Sequence, residues 1–149
     1  MLVRGELVML LVFLACDPKP PCYDALDDVL PSLAGPGAID CGTADLYDDP
    51  VRVDECVVEA FQNGDPFRAE YQWREIGTYG TEGWASDGTA VWKVDFSDSW
   101  SAAGSVSYAE CIEPTIGEQE EDRFGEISVR QVLACGDLGP PEDVRCQGY

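Results

Sequence analysis

Seven cysteines, at positions 16, 22, 41, 56, 111, 135 and 146, constrain this chain more than any other feature of its sequence. No two of them stand in a C-x-x-C pair and the chain contains no histidine, so the usual zinc spacings are missing. Disulfides are the remaining use for so many thiols, and disulfides persist in oxidising compartments. An odd count then requires one cysteine with another task. Setting Cys16 aside leaves Cys22, Cys41, Cys56, Cys111, Cys135 and Cys146, enough for three bridges. Their spacing does not choose among the pairings, although Cys22 and Cys146 lie so near the two ends that some bridge should tie down a terminus.

The task of Cys16 is written in its surroundings. Leu7 to Ala15 is an uninterrupted apolar run behind Arg4, and Asp17, Pro18, Pro20 and Pro21 end it at once. Such a run suits the apolar core of a signal peptide and is far short of the ~20 residues of a spanning helix. No small-x-small cleavage site precedes Cys16: Ala15 has Phe13 two residues before it. Phe13-Leu14-Ala15-Cys16 instead resembles the lipobox of bacterial lipoproteins, with Phe13 replacing the favoured Leu and Glu6 diluting the positive N-terminal region. The resemblance implies cleavage before Cys16 and lipid on its thiol and new amino group. One acyl chain anchors only marginally, whereas several on one residue hold a protein on a membrane. The expected organisation is a signal peptide over 1–15, a proline-rich tether over 16–21 and one disulfide-stabilised domain over 22–149. Its expected address is a bacterial membrane, at the outer membrane or cell surface, with the domain extracytoplasmic.

Charge narrows the partners. The net charge is −20, and losing Arg4 together with Glu6 leaves it unchanged. A surface this acidic repels nucleic acid and anionic headgroups. The expected contacts are the membrane, through lipid on Cys16, and an envelope protein or glycan.

Periodicity describes the domain. Tyr23, Leu26, Val29 and Leu30 have helical spacing, which Pro31 is expected to end, and Ile39 to Gly42 reads as extended. The clearest helix is PVRVDECVVEAFQNG from Pro50, with Asp49 as cap, Val53, Cys56, Val57, Ala60 and Phe61 on one face, and Asn63-Gly64 as the stop. The period then changes to two. Phe67, Ala69, Tyr71 and Trp73 point one way and Arg68, Glu70, Gln72 and Arg74 the other, as in a strand with one wet face. Further strands are expected over 78–85, over 90–96 after the Asp87-Gly88 turn, over 106–112 and over 127–135. In the strand over 90–96, Ala90, Trp92, Val94 and Phe96 should face inward and Val91, Lys93 and Asp95 outward. Residues 97–104 read as a polar loop and PTIGEQEEDRFG, 114–125, as an acidic exposed loop.

The expected fold is α+β: one main helix packed on an antiparallel meander of about five strands, stapled by disulfides. This element order resembles the cystatin-like layout, a sheet curled around one helix. Within 41–135, Cys41-Gly42, Cys56, Ala60-Phe61 and Pro66-Phe67 are also similar to small cysteine-containing lipoproteins of myxobacteria, a resemblance that implies no activity.

No catalytic residue is assigned and no cofactor is expected. Without histidine there is no Ser-His-Asp or Cys-His dyad. A carboxylate pair could hydrolyse glycosides, but so many acids bring some pair to the right distance by chance. A pocket with two carboxyls beside an aromatic platform would favour a hydrolase; exposed tryptophans on a flat surface would favour a binding module. Asp45, Asp48 and Asp49, and Asp95 with Asp98, offer the oxygens calcium prefers, yet no EF-hand spacing accompanies them, so no metal site is expected. Trp73 and Trp92 should be core. Trp84 and Trp100, near a turn and in the polar loop, are the candidates for partner contact if exposed. The expected function is non-catalytic binding or envelope structure. A small extracytoplasmic hydrolase or a protease-inhibitor-like module is the alternative.

Overall fold

The computed structural model describes residues 22–99, 102–123 and 126–146. The expected signal peptide, Cys16 with its expected tether, and Trp100 lie outside them. The elements run in the order α1 (Cys22–Ala34), β1 (Ile39–Ala44), α2 (Val51–Asn63), β2 (Phe67–Glu75), β3 (Thr78–Ser86), β4 (Val91–Ser99), β5 (Ala102–Glu110), β6 (Pro114–Arg123), β7 (Glu126–Cys135) and β8 (Glu142–Val144). The class is α+β, as expected. Among the described residues, two helices and eight strands in two sheets stand where one main helix, a shorter helical segment and a meander of about five strands were expected.

Among the described residues, six strands form one sheet in the order β1-β2-β3-β4-β5-β8, while β6 and β7 pair only with each other. The pairings are antiparallel except β1 with β2, which is parallel. The large sheet is covered on both faces, not one. Leu26, Leu30 and Ala34 of α1 pack on Ala85, Val94, Phe96 and Val106. Val53, Val57 and Ala60 of α2, with Leu133 of β7, pack on Phe67, Ala69, Trp84 and Val91. Trp84 and Ala85 are successive residues, so these two clusters occupy opposite faces of one strand. This corrects the expectation for 90–96. Val91 is buried beside α2 although Val94 and Phe96 are buried beside α1, and Trp92 is only partly covered.

Helix α2 starts one residue later than expected and stops where expected. Asp49 Oδ1 accepts from the Val51 N–H at 3.2 Å, Pro50 occupies the N-cap, and Gly64 at φ +72° donates to the Ala60 and Phe61 carbonyls. Helix α1 does not stop at Pro31. Proline removes one backbone donor, but Leu30 and Ala34 on either side are buried. That apolar burial carries the helix on to Gly35, whose N–H bonds the Pro31 carbonyl at 3.0 Å.

Two expected loops are strand. Residues 97–99 and 102–104 extend β4 and β5, with Ser97 opposite Ser105 and their hydroxyls 3.3 Å apart. Small polar residues can pair across strands without showing apolar alternation. PTIGEQEEDR, read as an acidic loop, is β6 and pairs with β7 in register from Pro114↔Cys135 to Arg123↔Glu126. Its acids do not prevent pairing because Glu118, Glu120 and Asp122 lie at the surface.

Each disulfide ties a covering element to the large sheet. Cys41–Cys56 joins β1 to α2, Cys111–Cys135 joins the end of β5 to the base of the β6–β7 hairpin, and Cys22–Cys146 joins α1 to the segment just past β8. The bridge expected to hold a terminus is the last of these. No helix among the described residues is long and apolar enough to cross a membrane.

Candidate functional site: a cleft under the hairpin

The hairpin leans over the α2-side face of the large sheet and leaves a cleft of about 250 Å³ between them. The period-two pattern of β2 puts Tyr71 and Trp73 on this face with Phe67 and Ala69. Antiparallel register puts Glu82 opposite Tyr71 and Trp84 opposite Ala69. Gln119 and Arg130, registered with one another on β6 and β7, form the opposite wall. Asp54 of α2 closes one end and borders a second cavity, of about 350 Å³, between α2 and β7. Arg130 lines both cavities, so the Asp54–Arg130 contact is a partition between them.

The lining is a hydrogen-bonded ionic network. Asp54 is only 3% exposed. A charge so deeply buried needs partners. Tyr71 Oη donates to its Oδ1 at 2.8 Å, and Arg130 Nη1 donates to its Oδ2. Burial, and then the Asp54 carboxylate accepting its proton, push the Tyr71 phenol far above its usual value, so Tyr71 stays a neutral donor. Arg130 also donates from Nη2 to Gln119 Oε1 at 3.0 Å, and its Nε stands 3.7 Å from Glu121 Oε2. That buried Nε–H finds no hydrogen-bond acceptor among the described residues.

On the sheet side, Glu82 accepts from Trp84 Nε1 at 3.0 Å through Oε1 and pairs with Lys93 Nζ at 3.0 Å through Oε2. Lys93 also stands 3.8 Å from Asp95. Burial works against the Lys93 charge, yet the bond and charge of Glu82 prevail and raise its pKa. Lys93, expected on an outer face, is thus drawn into the cleft's supporting network.

Chemically, this is a positioned lining. Both oxygens of Asp54 and both of Glu82 are already engaged by donors. Each of these oxygens holds one donor and keeps further acceptor capacity.

Trp84 does not meet the condition of exposure set for a partner contact. It is 5% exposed, because it shares its face with Ala69 beneath α2 and β7. It still borders the cleft. Trp73, expected as core, is partly covered and forms part of the wall. Among the described residues no group of three or more His, Cys, Asp or Glu side chains is placed to hold a metal. Asp95 faces Lys93 instead.

Asp54, Tyr71, Glu82, Gln119 and Arg130 went unmarked in the sequence. One signal was available. Asp54 occupies the same helical arc as Val57 and Val58, both buried, and a charge on such an arc asks for a partner. Nothing local names Arg130 as that partner. Comparison of the chain with known protein families, curated proteins and solved structures gave no match.

Proposed function

We propose that this chain is an exported bacterial lipoprotein, held on a membrane by lipid on Cys16, whose disulfide-stapled domain binds and does not catalyse. The observation that carries the reading is the pairing of all six cysteines from Cys22 to Cys146 with one another. These bridges need an oxidising compartment. They also account for every cysteine except the one at the end of Phe13-Leu14-Ala15-Cys16.

Intact mass of the protein taken from bacterial membranes, before and after reduction, tests this. A product beginning at Cys16 with added acyl mass, releasing six thiols only on reduction, is expected. A product retaining residues 1–15, or seven thiols free without reduction, overturns it.

A hydrolase is the second reading, because Asp54 and Glu82 do share a cleft with Trp73 and Trp84. It requires turnover of aryl glycosides that is lost in Glu82→Gln and Asp54→Asn. Absence of turnover by the folded, oxidised protein removes it.

A further inference from the structure

We propose that the cleft between the large sheet and the β6–β7 hairpin is a binding site for one neutral sugar ring. The inference rests on the binding-module reading and names the ligand class of its site. Three features select the ligand. The first is charge. Arg130 on one wall disfavours a cation, while Asp54, Glu82 and a chain of net charge −20 disfavour an anion.

The second is the mixture of polar groups. Gln119 uses its Oε1 to accept from Arg130, which turns its amide NH₂ into the donor left for a ligand. Glu82 lies across the cleft with its two oxygens singly engaged, so each retains acceptor capacity. A ligand facing a donor on one wall and an acceptor on the other must both accept and donate, as hydroxyl groups do.

The third is the aromatic wall. Trp73 lies across Gly80, where a side chain on β3 would collide with the indole, and the ring borders the cleft. A flat aromatic face suits the C–H face of a sugar ring. The volume, about 250 Å³, falls just under the ~300–1,000 Å³ of pockets for drug-sized ligands and suits a single ring.

The test uses the oxidised full-length protein in detergent. Glucose, galactose, mannose and N-acetylglucosamine are titrated to tens of millimolar, by calorimetry and tryptophan fluorescence, beside glucosamine and glucuronate as charged counterparts. The expected result is saturable binding of at least one neutral probe, with both charged sugars weaker by about tenfold. Trp73→Ala should weaken binding by roughly tenfold, the size of one lost aromatic contact, and Gln119→Ala by about threefold or more. Tyr47→Ala, an exposed aromatic that does not line the cleft, should leave binding unchanged. If Trp73→Ala fails to fold, Gln119→Ala decides, since Gln119 is exposed. No saturable binding of any neutral probe, tighter binding of a charged sugar, or binding indifferent to the cleft variants overturns the site. The lipid mass on Cys16 is read separately, so loss of the sugar site leaves the anchored-module reading standing, and the reverse holds as well.

Discussion

Arg130 of β7 donates to Asp54 of α2 across 76 residues of chain, and this contact fastens the hairpin to the body of the fold. Tyr71 shares the same carboxylate from the sheet side. Breaking a buried pair by removing one partner leaves an uncompensated charge, at a cost of about 3–5 kcal/mol. Arg130→Met should therefore destabilise strongly, at the upper end of what single substitutions do. Replacing both partners with apolar groups, as in Asp54→Leu with Arg130→Met, should recover much of the loss, because no charge is then buried. Urea midpoints of the oxidised proteins measure both. Additive losses in the double variant would mean that the pair is not coupled.

Cys22 and Cys146 close a loop spanning 124 residues, against 15 for Cys41–Cys56 and 24 for Cys111–Cys135. If the bridges act by restricting the unfolded chain, the expected ranking follows loop length, from about 3 kcal/mol for a 15-residue loop to nearly 5 for one above a hundred. Paired Cys→Ser substitutions should lower the urea midpoint most for Cys22/Cys146. A larger loss for Cys41/Cys56 would point to native-state packing between β1 and α2 as the dominant effect.

The elements legible in the sequence are those whose signals are local. The alternation from Phe67 to Trp73 is a strand in register, and Gly64 ends α2 where its left-handed conformation permits. Strand β6 was illegible because its support is not local. Glu118 to Asp122 reads as solvated charge until β7 pairs with it and Arg130 reaches Gln119 and Glu121. Helix α1 passes Pro31 for a related reason: tertiary burial of Leu30 and Ala34 outweighs a local stop. The cleft was the least legible feature. It draws on α2, β2, β3, β6 and β7, and no spacing in the chain brings Asp54 to Arg130 or Trp73 to Gln119.

Trp73 and Gly80 are directly opposed in register, and the indole occupies the space a side chain at Gly80 would need. A methyl group there forces the ring to move. Gly80→Ala is expected to cost about 1–3 kcal/mol, the range for overpacking a filled site. The cost should nearly vanish in a Trp73→Ala background, because the obstacle is then gone. A double-mutant cycle from urea denaturation reads the coupling directly. Independent effects at the two positions would show that the ring has another resting place.

Acid should first stabilise this protein and then unfold it. Burial raises the Glu70 carboxyl, with the Asp27 and Asp40 charges adding and Arg68 opposing. Burial also raises Asp95, where Lys93 opposes and Glu82 adds. A carboxyl with its folded pKa above the unfolded one binds more protons when folded within that window, so stability falls as pH rises through it. Lowering the pH from neutrality towards the ordinary glutamate value of 4.5 should therefore raise the urea midpoint. Relief of self-repulsion at net charge −20 acts in the same direction. Asp40 and Asp87 behave oppositely. The Arg68 hydrogen bond lowers Asp40, and the Ala90 N–H lowers Asp87. Their contribution is present above the unfolded value of 3.8 and is lost as pH falls through their folded values. Glu70→Gln separates the local effect from the global one, since it removes a single buried titration and leaves the other acids in place. The variant should show a shallower rise between neutrality and pH 4.5 and the same fall below it. Identical profiles for variant and parent would mean that Glu70 meets water as freely in the folded chain as in the unfolded one.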